Sequence, residues 1–145
     1  MKKAFTLLEL IIVLAIISIV IAIPMMKISL IEDRAADIEV ENFINDYNLA
    51  RKKAMAIGIP YYLDLRKDFY YLNTTHSDET TINDPKSKAF KHISYTYSDT
   101  IIEFKPDGYA STLKNGTYEL VFINNKSKKI RKFTISALTG YLNEK

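Results

Sequence analysis

The first 26 residues, MKKAFTLLELIIVLAIISIVIAIPMM, constrain this chain more than any other stretch. Two lysines open it, a nearly unbroken apolar run follows, and Glu9 is the one carboxylate in that run. From Leu10 to Met26 there is no charged side chain. A helix over Phe5 to Ile23 would be about 29 Å long at ~1.5 Å per residue, enough to cross the core of a bilayer. Basic residues stay on the cytoplasmic side, so Lys2 and Lys3 set the orientation. Everything after Met26 is expected outside the cytoplasm.

A carboxylate at the start of a membrane helix costs about 2.5–3.5 kcal/mol on insertion scales, so Glu9 calls for a specific partner. The string Ala4-Phe5-Thr6-Leu7-Leu8-Glu9 resembles the processing site of type IV prepilins and type II secretion pseudopilins. In that family a membrane peptidase cuts just before the Phe and methylates the new amine. The resemblance implies a leader of residues 1–4, a cut between Ala4 and Phe5, and N-methylation of Phe5. The family usually has Gly where this chain has Ala4. Cleavage there would leave an α-amine four residues from Glu9. With a pKa near 8 that amine is mostly cationic at neutral pH. In a low-dielectric layer an amine and a carboxylate on adjacent subunits offset each other's desolvation. Such a pair would set the axial register of a filament. The bland alternative is an uncleaved signal anchor with an incidental Glu. A secretory signal peptide fits worse, because the apolar run exceeds ~15 residues and no small-x-small site follows it.

The chain has 145 residues, which favours one domain beyond the membrane segment. Its formal charge is +3, and without Lys2 and Lys3 there remain 18 basic and 17 acidic residues. A nearly neutral mature chain gives no general case for nucleic acid or anionic lipid. The absence of cysteine excludes a disulfide, a thiol nucleophile and a thiolate metal site.

Pro24 interrupts the apolar run, and a kink or loosened turn is expected there. Beyond it, Ala36, Val40, Phe43, Tyr47, Ala50, Ala54 and Ile57 recur at steps of three and four, which places them on one helix face. Glu32, Asp33, Asp37, Glu39, Glu41 and Asp46 lie largely off that face. Arg51, Lys52 and Lys53 come late, which suits the helix dipole, and Gly58 with Pro60 stops the helix. The charge runs read as a solvated face; the functional alternative docks the acidic belt on neighbouring subunits.

From Ile59 the texture changes to strands. Residues 61–65 and 69–73 read as a hairpin, 74–92 as a polar loop, and 93–97 and 101–104 as short strands. Lys105-Pro106-Asp107-Gly108 is a turn. Residues 109–113 lead into Asn115-Gly116, a hairpin signal. Residues 117–123 and 130–137 form a last long hairpin, and Thr139-Gly140 turns into Tyr141-Leu142. A long helix before an antiparallel tail gives an α+β class with the sheet packed on the helix. The arrangement resembles the pilin-like fold. Its parts are leader 1–4, transmembrane and filament-core helix 5–26, amphipathic helix 27–58, and β domain 59–145. Three stretches are similar to minor subunits of the GspH/FimT type: Leu49-Ala50-Arg51-Lys52-Lys53-Ala54, Phe104-Lys105-Pro106-Asp107-Gly108, and Ile135-Ser136-Ala137-Leu138-Thr139-Gly140-Tyr141-Leu142.

Catalytic motifs are not evident, and the expectation is a protein that is not an enzyme and takes no cofactor. His76 and His92 show no metal spacing and read as surface residues. No nucleophile elbow or phosphate-cradling glycine loop occurs. The ten tyrosines sit mainly in strands, where packing is the default role. Three glycosylation sequons, at Asn73, Asn115 and Asn125, are a frequent chance pattern and carry no assigned modification. The remaining candidate is Lys126, Lys128, Lys129, Arg131 and Lys132, five bases in seven residues. They read first as a solvated turn, then as a subunit contact, then as a phosphate contact to DNA. Strand alternation would split them between two faces. Some relatives of the FimT type bind DNA, with arginine just after the C-terminal glycine; here Tyr141-Leu142 follows Gly140.

The residues thus lead to a prepilin-like, membrane-anchored subunit with Glu9 as its assembly residue. The resemblance implies as partners a prepilin peptidase, other pilin or pseudopilin subunits and a cytoplasmic-membrane assembly platform. A DNA-uptake module on the same scaffold is the second reading. A tethered extracytoplasmic domain that never enters a filament is the third.

Overall fold

The computed structural model describes residues 7–75, 87–97, 99–112, 118–136 and 139–145, with the side chains of 22–29 outside that description. The expected cleavage site at Ala4 and Phe5 lies outside the described residues, as do His76 and the Asn115-Gly116 turn.

Helix α1 spans Leu7–Ile57, 51 residues, or about 77 Å at ~1.5 Å per residue. It continues through Pro24. Its first half shows apolar side chains on the surface from Leu7 to Ile21. Among the described residues, no helix is long and apolar enough to cross a membrane. Of the expected span, Phe5 and Thr6 and the side chains from Ala22 onward fall outside the description.

In the second half, Ala36, Val40, Phe43, Tyr47, Ala50 and Ala54 are all buried, as their spacing requires. Ile57, expected on the same face, is instead 54% exposed. The chain leaves the helix at once: Gly58 takes φ +73°, and its N–H bonds the Ala54 carbonyl at 3.0 Å. A left-handed glycine at this position is a common helix stop.

The β region is not one sheet but two, all antiparallel. The strands are β1 (Tyr61–Leu65), β2 (Phe69–Asn73), β3 (Lys88–Ala89), β4 (Ile93–Tyr95), β5 (Thr100–Phe104), β6 (Ala110–Thr112), β7 (Glu119–Asn124), β8 (Ile130–Ile135) and β9 (Leu142–Glu144). One sheet runs β3-β2-β1-β5-β6 and the other β4-β7-β8-β9. The hairpins β1–β2 and β7–β8 form as expected, and the expected turn at Lys105–Gly108 joins β5 to β6 as a third. The expected hairpin across Asn115-Gly116 does not form, because β6 and β7 belong to different sheets. Strand β3 lies within the stretch expected to be loop, and β9 extends a stretch expected to be a turn.

Two sheets share one core because α1 lies against strands of both. Phe43 is fully buried and touches rings from each side: Tyr70 of β2 edge-on at 5.2 Å and Phe122 of β7 at 4.9 Å. Phe90 is 6.2 Å from Phe43 and 5.8 Å from Phe122. Edge-to-face rings at these separations add to simple area burial.

Candidate functional site

The acidic belt of the helix finds partners within its own chain. Glu32 is ion-paired with Lys126. Asp33 accepts a 3.0 Å bond from the Asn124 amide. Asp37 lies 3.3 Å from the Lys129 Nζ. Glu39 accepts the backbone N–H groups of Lys91 and His92, at 3.1 and 2.9 Å. Glu41 accepts from the Arg131 guanidinium at 3.0 Å. Asp46 takes the Tyr70 hydroxyl and, at 2.5 Å, the Lys88 ammonium. Acids about one turn apart thus bind successive bases and N–H groups of the two sheets, and the first contacts are with the β7–β8 turn.

That turn is built for the position. The buried Asn124 side-chain oxygen accepts the N–H groups of Lys126 and Ser127, at 2.9 and 3.0 Å, while its amide reaches Asp33. Lys128 adopts φ +60°, closing the turn with an N–H bond to the Asn124 carbonyl at 3.1 Å.

The five bases of the expected patch are therefore not one surface. Lys126 and Lys129 face helix carboxylates, and the Lys128 ammonium donates to the Asn125 carbonyl at 2.6 Å. Arg131 is largely covered, with 15% of its side chain accessible, and bonds both Glu41 and Glu144. Lys132 is exposed and sits one strand position from Arg131, on the opposite face. The split by strand alternation holds. The Arg131 fork holds the Glu144 carboxyl below its ordinary pKa. Glu119 is likewise lowered, first by the Tyr97 hydroxyl and then by Lys145.

A second junction forms at the far end of the helix. The Arg51 guanidinium stacks 3.9 Å over the Tyr141 ring, and its Nε points at the Gly108 carbonyl 3.4 Å away. Gly140 has φ +63°, and a Cβ there would lie 2.6 Å from that same carbonyl. The helix end, the Phe104–Gly108 turn and the C-terminal stretch therefore meet around one arginine. Each stretch was visible in the sequence; that they converge was not, because nothing in local periodicity relates residues 51, 108 and 140.

Glu9 stands exposed on the first turn of α1. A carboxylate there is favoured by the helix dipole. Among the described residues no group of His, Asp and Glu could hold a metal ion. Residues 1–23 match the family model for the prokaryotic N-terminal methylation motif. The chain carries a prepilin-type N-terminus. This marks it as a substrate type for prepilin peptidase and supports the type IV pilin-like and pseudopilin family. The motif implies assembly with other pilins. No curated protein and no solved structure gives a significant match to the chain.

Proposed function

We propose that this protein is a structural subunit, of minor type, of a type IV pilus or a type II secretion pseudopilus. Prepilin peptidase removes residues 1–4 and methylates Phe5. The apolar half of the helix anchors the precursor in the cytoplasmic membrane, with the β domain outside the cytoplasm. The same half then becomes the filament core, and Glu9 pairs with the Phe5 amine of an adjoining subunit. It has no enzymatic role and needs no cofactor.

The observation that carries this reading is the methylation motif at residues 1–23. It stands on a helix whose first half leaves its apolar side chains uncovered, from Leu7 to Ile21. An uncovered apolar surface of this length calls for lipid or partner helices. The junction around Arg51 supports the minor-subunit assignment, since the three stretches similar to the GspH/FimT type meet there.

The DNA-uptake reading is weaker. Of its five bases, Lys126, Lys129 and Arg131 are engaged by carboxylates of the same chain. A phosphate would have to displace them.

N-terminal mass spectrometry of protein extracted from membranes tests the proposal. The expected first residue is N-methylated Phe5. A chain still beginning at Met1, in cells with active prepilin peptidase, would return it to a tethered surface domain.

A further inference from the structure

We propose that the outer face of α1 is a coiled-coil seam on which a second copy of this chain docks, parallel and in register. The parallel sense rests on the membrane-anchored reading above. Ile31, Ala35, Ile38, Asn42, Asn45 and Leu49 follow one another at steps of four and three, the a and d positions of a heptad. At ~3.6 residues per turn this stripe lies roughly 140° around the helix from the buried one. Its large side chains stand open: Ile31, Ile38 and Leu49 are 65%, 59% and 46% exposed, and both asparagines are exposed. Counted back in the same steps, with Pro24 taking one of them, the stripe runs on through Ile21 and Leu14 to Leu7. It is thus continuous with the uncovered apolar half. A repeat of ~3.5 residues held over that length asks for another helix, because neither lipid nor water imposes such a period.

The polar members of the seam select a copy of the same chain. An amide both donates and accepts, so Asn42 satisfies Asn42 of the second copy, and Asn45 does likewise. An asparagine at an a position fixes register and oligomer state, at a cost in stability. An open cleft of about 290 Å³ beside β3, lined in part by Asn42 and Asn45, leaves both amides accessible.

The flanks of the seam agree. In a parallel pair each g residue faces the e residue five positions on in the other helix. Arg34 then faces Glu39 of the second copy. Among the described residues Arg34 has no carboxylate partner, and Glu39 is bonded only by backbone N–H groups, so no base offsets its charge. Lys27 stands the same five positions before Glu32 in the sequence. Glu41 and Asp46 face each other by the same rule and are like charges, but Arg131 and Lys88 already hold them. Glu9 lies off the seam, so its pairing with an adjoining subunit is a separate contact. The amide layers keep the pair reversible, as a subunit that must later enter a filament requires.

The full chain has no cysteine, so single cysteines report contacts between copies. Ile38→Cys, Leu49→Cys and, on the exposed β7–β8 turn, Ser127→Cys are made in cells where this chain is the only pilin, and their membranes are oxidised with copper phenanthroline. Ile38→Cys and Leu49→Cys should each give a disulfide-linked homodimer, and Ser127→Cys should not. Ile38→Cys should link to a differently tagged Ile38→Cys but not to a tagged Asn45→Cys. Asn42→Asp, which sets two carboxylates against each other, should lower the Leu49→Cys dimer roughly tenfold with an unchanged circular dichroism spectrum. Equal yields at Ser127 and on the seam, or links between positions 38 and 45, overturn the pair in register. So does an adduct to a different protein in place of the homodimer. Absence of a dimer in a chain that resists alkaline carbonate overturns the seam and leaves the anchor standing. Release by carbonate overturns the anchor, and the parallel pair with it.

Discussion

Gly140 is fixed by two constraints at once. Its φ of +63° disfavours any L side chain, and a Cβ would stand 2.6 Å from the Gly108 carbonyl. That neighbour is backbone, so it cannot rotate away. Gly140→Ala should cost about 1–3 kcal/mol, within the range for a strained backbone position. Thermal unfolding of the variant checks this; an unchanged midpoint would mean that the junction around Arg51 is loose. Glu144 supplies a pH dependence at the same scale. Its folded pKa lies below the ordinary value of 4.5, chiefly because Arg131 donates to it. The pair's contribution is therefore complete above that value and disappears as pH falls through the lower, folded one. Between neutral and mildly acidic pH, Glu144→Gln should be the less stable form, and the difference should vanish in strong acid. Denaturant midpoints across pH measure it.

Among elements, the aromatic core outweighs the row of ion pairs along the helix. Phe43 is fully buried between rings of both sheets. Phe43→Ala should cost about 3–5 kcal/mol. Arg131 meets Asp37, Glu41 and Glu144, whose side chains are 44–58% accessible. Pairs so open to solvent are typically worth about 0–1 kcal/mol each. Arg131→Ala should therefore shift the urea midpoint less than Phe43→Ala, and the shift should shrink in high salt. Most elements were legible because their cause is local. Period three-four spacing marked the buried face from Ala36 to Ala54, and Lys105-Pro106-Asp107-Gly108 marked its turn. The division into two sheets was not legible. The Asn115-Gly116 signal speaks for local reversal, whereas β6 and β7 take their partners in different sheets. Ile57 misled for a similar reason: periodicity runs to the last residue before Gly58 ends the helix, where the sheets no longer cover it. In the sequence the acidic belt reads as a solvated face, yet its basic partners stand 42 to 94 positions away, such as Lys88 for Asp46 and Lys126 for Glu32. No sequence window contains both.

Across the whole molecule, the helix joins two regions with opposite demands. In its second half the stripe from Ala36 to Ala54 is buried, and Glu32, Asp33, Asp37, Glu39, Glu41 and Asp46 all have partners in the β domain. Its first half lacks such cover, with large apolar side chains exposed from Leu7 to Ile21. Assembly through that half would leave the β domain intact, so folding and incorporation should respond to different substitutions. Glu9→Ala separates them. It removes a carboxylate far from the β domain, so unfolding of that domain should be unchanged. Processing should persist, because Ala4 and Phe5 still flank the cut. Incorporation should fall sharply, because the Phe5 amine of an adjoining subunit would lose its counter-charge in a low-dielectric layer, and an unpaired buried charge is far costlier than a paired one. The measurement is the fraction of processed protein recovered in sheared filaments against that left in the membrane. Wild-type recovery of Glu9→Ala would reject the register role of Glu9, even with Phe5 fully methylated. Recovery by Glu9→Asp but not by Glu9→Gln would tie the effect to charge rather than to side-chain volume.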